Sequence, residues 1–399
     1  VIARKPVVVL ALLVSFVFGS IVVANPAGAT INSAVIVPSP NVGSSASQLV
    51  AVDCVGESWC VAVGTATVST ASRALIEVWD GAAWSVMQSP TTGTVNDVLS
   101  SVSCVSASWC AAVGLSNTGS NHVTLAEVWD GTTWSIVSSP NAGNVNDRFN
   151  SISCVSQSFC VAVGTTQVGS IDQTLIEVWN GSSWSIVSSP SPGPDGSTLW
   201  DVGCLSQSWC VAVGKTVSNS ATETLVEGWN GSTWSVVSSP NAGTIFDYLG
   251  SVSCVSQTWC VAVGVSQQGS VGRNLVETWN GSTWSVVSSP NVGAGANNLY
   301  SVSCVNQSSC AAVGVVNNGS NDAMLIQAWN GSSWSIVSSP STSRNNFLGG
   351  VSCMSDSKCF AAGTFTSSPV ETLTVMLNGS GSSPSTTVPS DPVVPTFTG

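Results

Sequence analysis

Short apolar runs recur along this chain with turn residues between them, and no segment spaces its apolar positions at a helical period. In residues 149–190 the first run is Phe149 to Val155 (FNSISCV) and the second is Phe159 to Thr165 (FCVAVGT). The third, Thr174 to Trp179 (TLIEVW), meets Asn180-Gly181, a strong hairpin signal, and the fourth, Trp184 to Ser188, is closed by Pro190. These runs have strand length and strand composition, so the pattern predicts four antiparallel strands joined by tight turns.

The same unit repeats. Cysteine pairs fall at Cys54/Cys60, Cys104/Cys110, Cys154/Cys160, Cys204/Cys210, Cys254/Cys260, Cys304/Cys310 and Cys353/Cys359, six steps in all, each of 50 residues except a last one of 49. Seven four-stranded units at this period predict an all-β fold, a seven-bladed β-propeller. The first strand of each unit is built from small residues such as Ser, Val and Cys, whereas the third and fourth carry Leu, Ile and Trp. Blades diverge with radius, so the first strand is expected to line the central channel.

The seventh unit has a first strand (Leu348–Met354), a second (Cys359–Thr364) and a third (Glu371–Leu377), but no Trp-led fourth strand follows Asn378-Gly379. The missing strand is spelled out near the other end as Ala34-Val35-Ile36-Val37, followed by the Ser39-Pro40-Asn41 that ends other units. An N-terminal strand that completes the last blade would leave no open sheet edge between the two chain ends.

Upstream, Arg4 and Lys5, an apolar run from Val7 to Val23 and the small-residue site Ala27-Gly28-Ala29 read as a secretory signal over residues 1–29. The propeller is expected over 30–382, and the Pro/Ser/Thr-rich residues 383–399 read as a flexible tail. Export predicts an extracellular location, no membrane insertion after signal cleavage, and disulfides within all seven Cys-x5-Cys pairs. Without Arg4 and Lys5 the chain keeps six basic against twenty acidic residues, a net charge near −14. That balance excludes nucleic acid and anionic lipid as expected partners, and a monomer is expected.

With CVAVG as a Gly-ended second strand, LIEVWNG as an acidic/aromatic third and WSIVSSP as a Trp-led fourth, the unit resembles a kelch repeat over residues 32–380. It departs from kelch in having Val163-Gly164 where kelch has a double glycine, and in its extra cysteine pair. The resemblance implies a propeller like the central domain of galactose oxidase, a class holding both enzymes and binding scaffolds. The WDG and WNG turns resemble sialidase-type Asp-boxes more loosely, with the spacing to the next Trp one residue short.

Several recurring positions are candidates for scaffold or site. Glu77, Glu127, Glu177, Glu227 and Glu277, with Gln327 in the sixth unit, recur once per blade and are read as hydrogen-bonded structural groups. Seven residues before each first cysteine stand Ser47, Asp97, Asp147, Ser197, Asp247, Asn297 and Asn346, expected as an oxygen-rich ring at a channel mouth that would suit a hard cation such as calcium. Before the second cysteine stand Trp59, Trp109, Phe159, Trp209 and Trp259, broken by Ser309 and Lys358; on the rim such rings would stack on sugars. The loops after the second and fourth strands, for example Thr165–Gln173 and Asn141–Arg148, vary between units. They carry Arg73, His122, Arg148, Asp172, Lys215, Glu223, Arg273 and Arg344, so ligand recognition is expected on that face.

Catalytic chemistry finds little support. One histidine, His122, and two tyrosines, Tyr248 and Tyr300, cannot supply a copper-radical ligand set. Sialidase-type hydrolysis wants clustered arginines, and Ser-His-Asp chemistry wants a Gly-x-Ser-x-Gly element; neither is present. The expected function is a non-catalytic binding or surface-interaction module for a glycan, a cell-envelope polymer or a cell-surface protein. A carbohydrate-active hydrolase using loop carboxylates, or a structural spacer in a larger surface protein, are the alternatives.

Overall fold

In the computed structural model the chain forms seven four-stranded antiparallel sheets; six run from inner to outer strand in chain order, and the seventh takes its outer strand from the N-terminal end of the described residues. The structure describes residues 31–379 apart from positions 43–45, 93–95, 144, 244, 318, 320, 341, 343 and 367. The expected signal segment and tail lie outside the described residues. All seven cysteine pairs are disulfides, each clamping the turn between the inner and second strands with its Cα atoms 3.9–4.1 Å apart.

Blade 3 shows how the elements differ from expectation. Its strands are Val145–Ser156, Phe159–Val168, Ile171–Trp179 and Trp184–Ile186. The stretch 165–173, expected as a loop, is instead strand on both sides of a two-residue turn, with Val168 paired to Ile171. Gly169 makes that turn with φ 65°, in the left-handed region where glycine is the favoured residue. The variable feature at this position is therefore a projecting hairpin. At the opposite end, Asn180 Oδ1 accepts the N–H groups of Ser182 and Ser183, which closes a four-residue turn between Trp179 and its partner Trp184.

Residues 31–37 pair antiparallel with Glu371–Gly379 and complete blade 7 from the outside. This closure reuses the contacts of the other blades. Asn41 Oδ1 accepts the Thr372 N–H at 2.9 Å, as Asn141 accepts that of Thr124 and Asn241 that of Thr224. An exposed ion pair, Lys358 with Glu57, also crosses from blade 7 to blade 1.

Between blades lie seven apolar clusters, each mixing one sheet's back face with its neighbour's front. The repeated glutamates sit within these seams and are fully buried. A serine from the end of the preceding blade, Ser39, Ser89, Ser139, Ser189 or Ser239, donates to each at 2.5–3.0 Å. Burial pushes Glu77, Glu127, Glu177 and Glu227 up to about 8 and Glu277 up to about 7, against the pull of those hydroxyls. At the equivalent position Gln327 accepts from Ser289 Oγ and donates its Nε2 hydrogen to the Pro290 carbonyl. At the seam into blade 7 the position is a buried Val375, and no acid is needed.

Candidate binding site at the channel mouth

The channel is lined by the inner strands, as their small side chains predict. In every blade the inner strand carries a β-bulge at the same place, between Leu49 and Ala51 in blade 1 and between Leu199 and Asp201 in blade 4. The cause lies in the second strand. The glycine of the repeated Val-Gly faces the bulge so closely that a Cβ on Gly64 would lie 2.0 Å from the Gln48 carbonyl oxygen, and one on Gly214 would lie 2.0 Å from that of Thr198. Only glycine admits this approach, so the repeated glycine is what permits the bulge.

The bulge turns one extra residue per blade toward the axis, and these residues are Val50, Ser100, Asn150, Trp200, Gly250, Tyr300 and Gly349. The preceding position is Leu or Phe in every blade and the following one is serine in four; this one differs in almost every blade. Position 49 and its equivalents are fully buried Leu or Phe, so alternation puts the preceding residues, Arg148, Tyr248, Asn298 and Phe347 among them, on the opposite face of the inner strand.

The chain's irregular aromatics lie on the inner strands of these blades or just ahead of them, and Trp200 and Tyr300 line the channel. Trp200 is the one tryptophan that breaks the repeat, and Tyr248 and Tyr300 are the chain's only tyrosines. Together with Phe246 and Phe347 they occupy the inner-strand entrances of blades 4 to 7. Tyr300 meets Phe347 edge-on at 6.3 Å, and Phe246 meets Tyr248 edge-on at 5.6 Å. Asn298 Nδ2 donates to Tyr300 Oη at 3.4 Å. Burial, with Tyr300 nearby, raises the Tyr248 phenol above its usual range, so it stays a neutral donor. Trp200 keeps 36% of its surface exposed. Blades 1 to 3 face this aromatic crescent with small and polar groups, among them Asn150, whose Nδ2 donates to the Leu199 carbonyl at 2.7 Å.

Below the mouth two levels of hydroxyls stitch neighbouring blades. Ser103, Ser153, Ser253 and Ser303 each accept the cysteine N–H of the next blade at 3.0 Å. One level up, Ser101, Ser251 and Ser301 accept N–H groups in the same way at 3.1–3.3 Å. An aspartate replaces a serine once at each level. Asp53 accepts from the Cys104 N–H at 2.7 Å, the Cys54 N–H and Ser352. Asp201 accepts from Ser151 at 2.5 Å and from the N–H groups of Val252 and Val202. Burial raises both carboxyls above the ordinary range, and these donors oppose the rise.

The oxygen-bearing residues expected as a ring occupy other places. Asp97, Asp147, Asp247, Asn297 and Asn346, with Ser47 and Ser197, are almost fully buried, and each serves the loop that leads into its own strand. Asp97 accepts from the Thr92 N–H and hydroxyl, Asp147 and Asp247 from the N–H groups of Gly143 and Gly243, and Asn297 from that of Val292. Asn346 donates to the Arg344 carbonyl and accepts the Met324 N–H. Their oxygens point into separate loops because each has backbone donors to satisfy there. Among the described residues no group of three or more His, Cys, Asp or Glu is placed to share a metal ion. Trp59, Trp209 and Trp259 are half-buried, and Trp109 is buried; all four pack on the apolar seam with the next blade.

The cysteines pair as expected, but their second members belong to the core rather than to any site. Cys60, Cys110, Cys160, Cys210, Cys260, Cys310 and Cys359 are all buried, and each is a member of the apolar cluster in its blade's seam. Their half-buried partners, Cys54, Cys104, Cys154, Cys204, Cys254, Cys304 and Cys353, pack against the same clusters. The reason is strand alternation: the second cysteine opens the central second strand, whose two faces are both covered by neighbouring sheets, so its sulfur fills the seam like any small apolar group. The disulfides are therefore staples of the blades.

The crescent was missed by following residues that repeat. Its signal in the sequence was departure from the repeat, in the aromatics at 200, 248 and 300.

No family model and no curated protein matches the chain. Among solved structures it is similar to YCF48 bound to D1 peptide, with TM-score 0.53 and 13% identity, covering 89% of this chain and 99% of that one. It is also similar to a PL25 ulvan lyase bound to -[GlcA(1-4)Rha3S]-, with TM-score 0.50 and 9% identity, covering 89% and 96%. A third is the GH74 xyloglucanase from Xanthomonas campestris, with TM-score 0.52 and 12% identity, covering 84% of this chain and 55% of that one. None of these propellers is specifically of the kelch kind, and at such identities the likeness shows the fold: the chain is a seven-bladed β-propeller.

Proposed function

We propose that this chain is a secreted, non-catalytic binding module with a kelch-like repeat, whose ligand docks on the variable-loop face at the channel mouth. The observation that carries the reading is the bulge. One position per blade is aimed at the channel, freed from strand pairing, and varied from blade to blade beside a position that is Leu or Phe throughout. Bulges of this kind re-aim side chains beside sites, and an exposed tryptophan beside polar groups at a channel entrance suits recognition. The similar propellers fit such a use, since one is bound to a peptide and another to a saccharide. Seven disulfides suit an oxidising, extracellular setting.

The test is an array of glycans, cell-envelope polymers and cell-surface proteins probed with residues 30–399, with calcium and with chelator. Saturable retention without turnover, lost in variants of the mouth and kept in variants of the opposite face, is the expected result. Turnover of a polysaccharide that vanishes on a single Asp→Asn change would install the hydrolase instead. A blank under both conditions would leave the spacer.

A further inference from the structure

We propose that the channel mouth binds the end of a neutral saccharide chain, its terminal sugars lying against Trp200 and Tyr300 and its hydroxyls bonding to Asn150 and the channel serines. This inference rests on the binding-module reading above and names its ligand.

The argument for a sugar begins with the chemistry of the lining. Trp200 and Tyr300 stand on blades 4 and 6, with Gly250 between them on blade 5, so no side chain separates the two aromatic positions at the bulge level. A pyranose ring has one flat apolar face that packs on such rings, and its edge is a circle of hydroxyls. Ser100, Ser101, Asn150 and Ser301 line the same channel and offer both donors and acceptors, which suits hydroxyls better than any group of one polarity.

Charge narrows the class. The chain is strongly acidic, no Lys or Arg is among the described residues that line the channel, and Asp53 and Asp201 lie within it, so a polyanion is disfavoured. A cationic group is favoured no better. Both carboxyls already accept from several protein donors, and burial presses each toward its neutral form. Neutral, hydroxyl-rich ligands remain.

Shape selects the end of the chain. Seven inner strands close around the axis, so the space below the mouth is a shaft walled on every side and not a groove open along its flanks. Its volume is about 250 Å³, somewhat under the roughly 300–1,000 Å³ of pockets that enclose drug-sized ligands. One or two sugars fit such a space, and the rest of the chain leaves toward solvent past the variable hairpins.

Calorimetry of residues 30–399 against neutral gluco-, xylo-, manno-, galacto- and chito-oligosaccharides of two to six sugars tests the proposal, with polygalacturonate and oligolysine as charged controls. At least one neutral series should bind, with affinity per chain rising over the first sugars and then flat with length. Trp200→Ala and Tyr300→Ala should each weaken it about tenfold, while circular dichroism and the unfolding midpoint stay unchanged. Stoichiometry that grows with chain length would overturn end recognition. Binding of oligolysine alone would replace the sugar with a cation, and a blank for every neutral series, or binding indifferent to both substitutions, would sink the proposal. If the array still shows a mouth-dependent protein ligand while every sugar fails, only this inference falls. Failure of both assays removes the binding module as well.

Discussion

The seams between blades and the mouth of the channel are built by opposite rules. In the seams a residue is copied from blade to blade: the glutamate, the serine that holds it, and the tilted tryptophan pair, with ring centroids at 5.6 Å in blade 3 and 5.7 Å in blade 5. At the mouth the backbone is copied and the side chain is not, since the same bulge presents asparagine in blade 3, tryptophan in blade 4 and glycine in blade 5. Repetition encodes assembly because every blade must meet its neighbour in the same way. Departure from repetition, placed where the ring cannot use it for assembly, encodes recognition.

The largest effect should come from breaking the one seam that depends on two chain ends. Deleting residues 30–42 removes the outer strand of blade 7, the Asn41 cap on Thr372 and the Ser39 bond to Glu77 together. A sheet edge and a row of apolar contacts are then opened to water. Cooperative unfolding should be lost in denaturant titrations, and a synthetic peptide of residues 30–42 should restore it in trans. A truncated chain that unfolds at the original midpoint would show that closure contributes nothing to the ring.

Next in size is the response of the seams to pH. Their glutamates have folded values near 8, or 7 for Glu277, against an ordinary 4.5, so the folded state holds protons that the unfolded chain has released. Their contribution is fully present below about pH 4.5, declines as pH rises, and is lost once pH passes the folded values, at up to about 1.4 kcal/mol per glutamate and pH unit. Asp97, Asp147 and Asp247 face Glu127, Glu177 and Glu277 and push the same way. The denaturation midpoint should therefore be higher at pH 5 than at pH 8. Changing all five glutamates to glutamine, the residue blade 6 already uses at 327, should flatten most of that slope, leaving the part due to Asp53 and Asp201, whose raised values act in the same direction.

How much of this was legible in the sequence follows the same division. The fifty-residue period and the strand-turn chemistry around Asn180-Gly181 showed the blades, and the isolated Ala34–Val37 showed the closure, because assembly must be written in every unit. The structural role of Glu177 was readable from its recurrence, although its partner, Ser139 of the preceding blade, was not. Asp147 misled because its position before the innermost strand is the same whether its oxygens face the channel or the Gly143 N–H; the choice is made by loop donors that no pattern displays. Trp200 stayed hidden because a bulge adds no residue to the repeat length. Only the pairing of Leu199 with Gly214 and Asp201 with Val213 reveals that position 200 is turned out of the ladder.

Blade 4 holds both kinds of tryptophan and lets the comparison be made within one sheet. Trp234 belongs to the seam, 6% exposed and 5.6 Å from Trp229, whereas Trp200 belongs to the mouth and is 36% exposed. Trp234→Ala should cost about 3–5 kcal/mol, the usual toll for emptying a tightly packed aromatic site. Trp200→Ala should change stability by no more than about 0.5 kcal/mol, as surface substitutions do, since the bulge that presents it is set by Gly214 and not by the indole. Paired urea titrations of the two variants measure the difference directly. A mouth tryptophan that costs as much as a seam one would mean that the irregular aromatics brace the ring, and the departures from the repeat would then lose their claim to recognition.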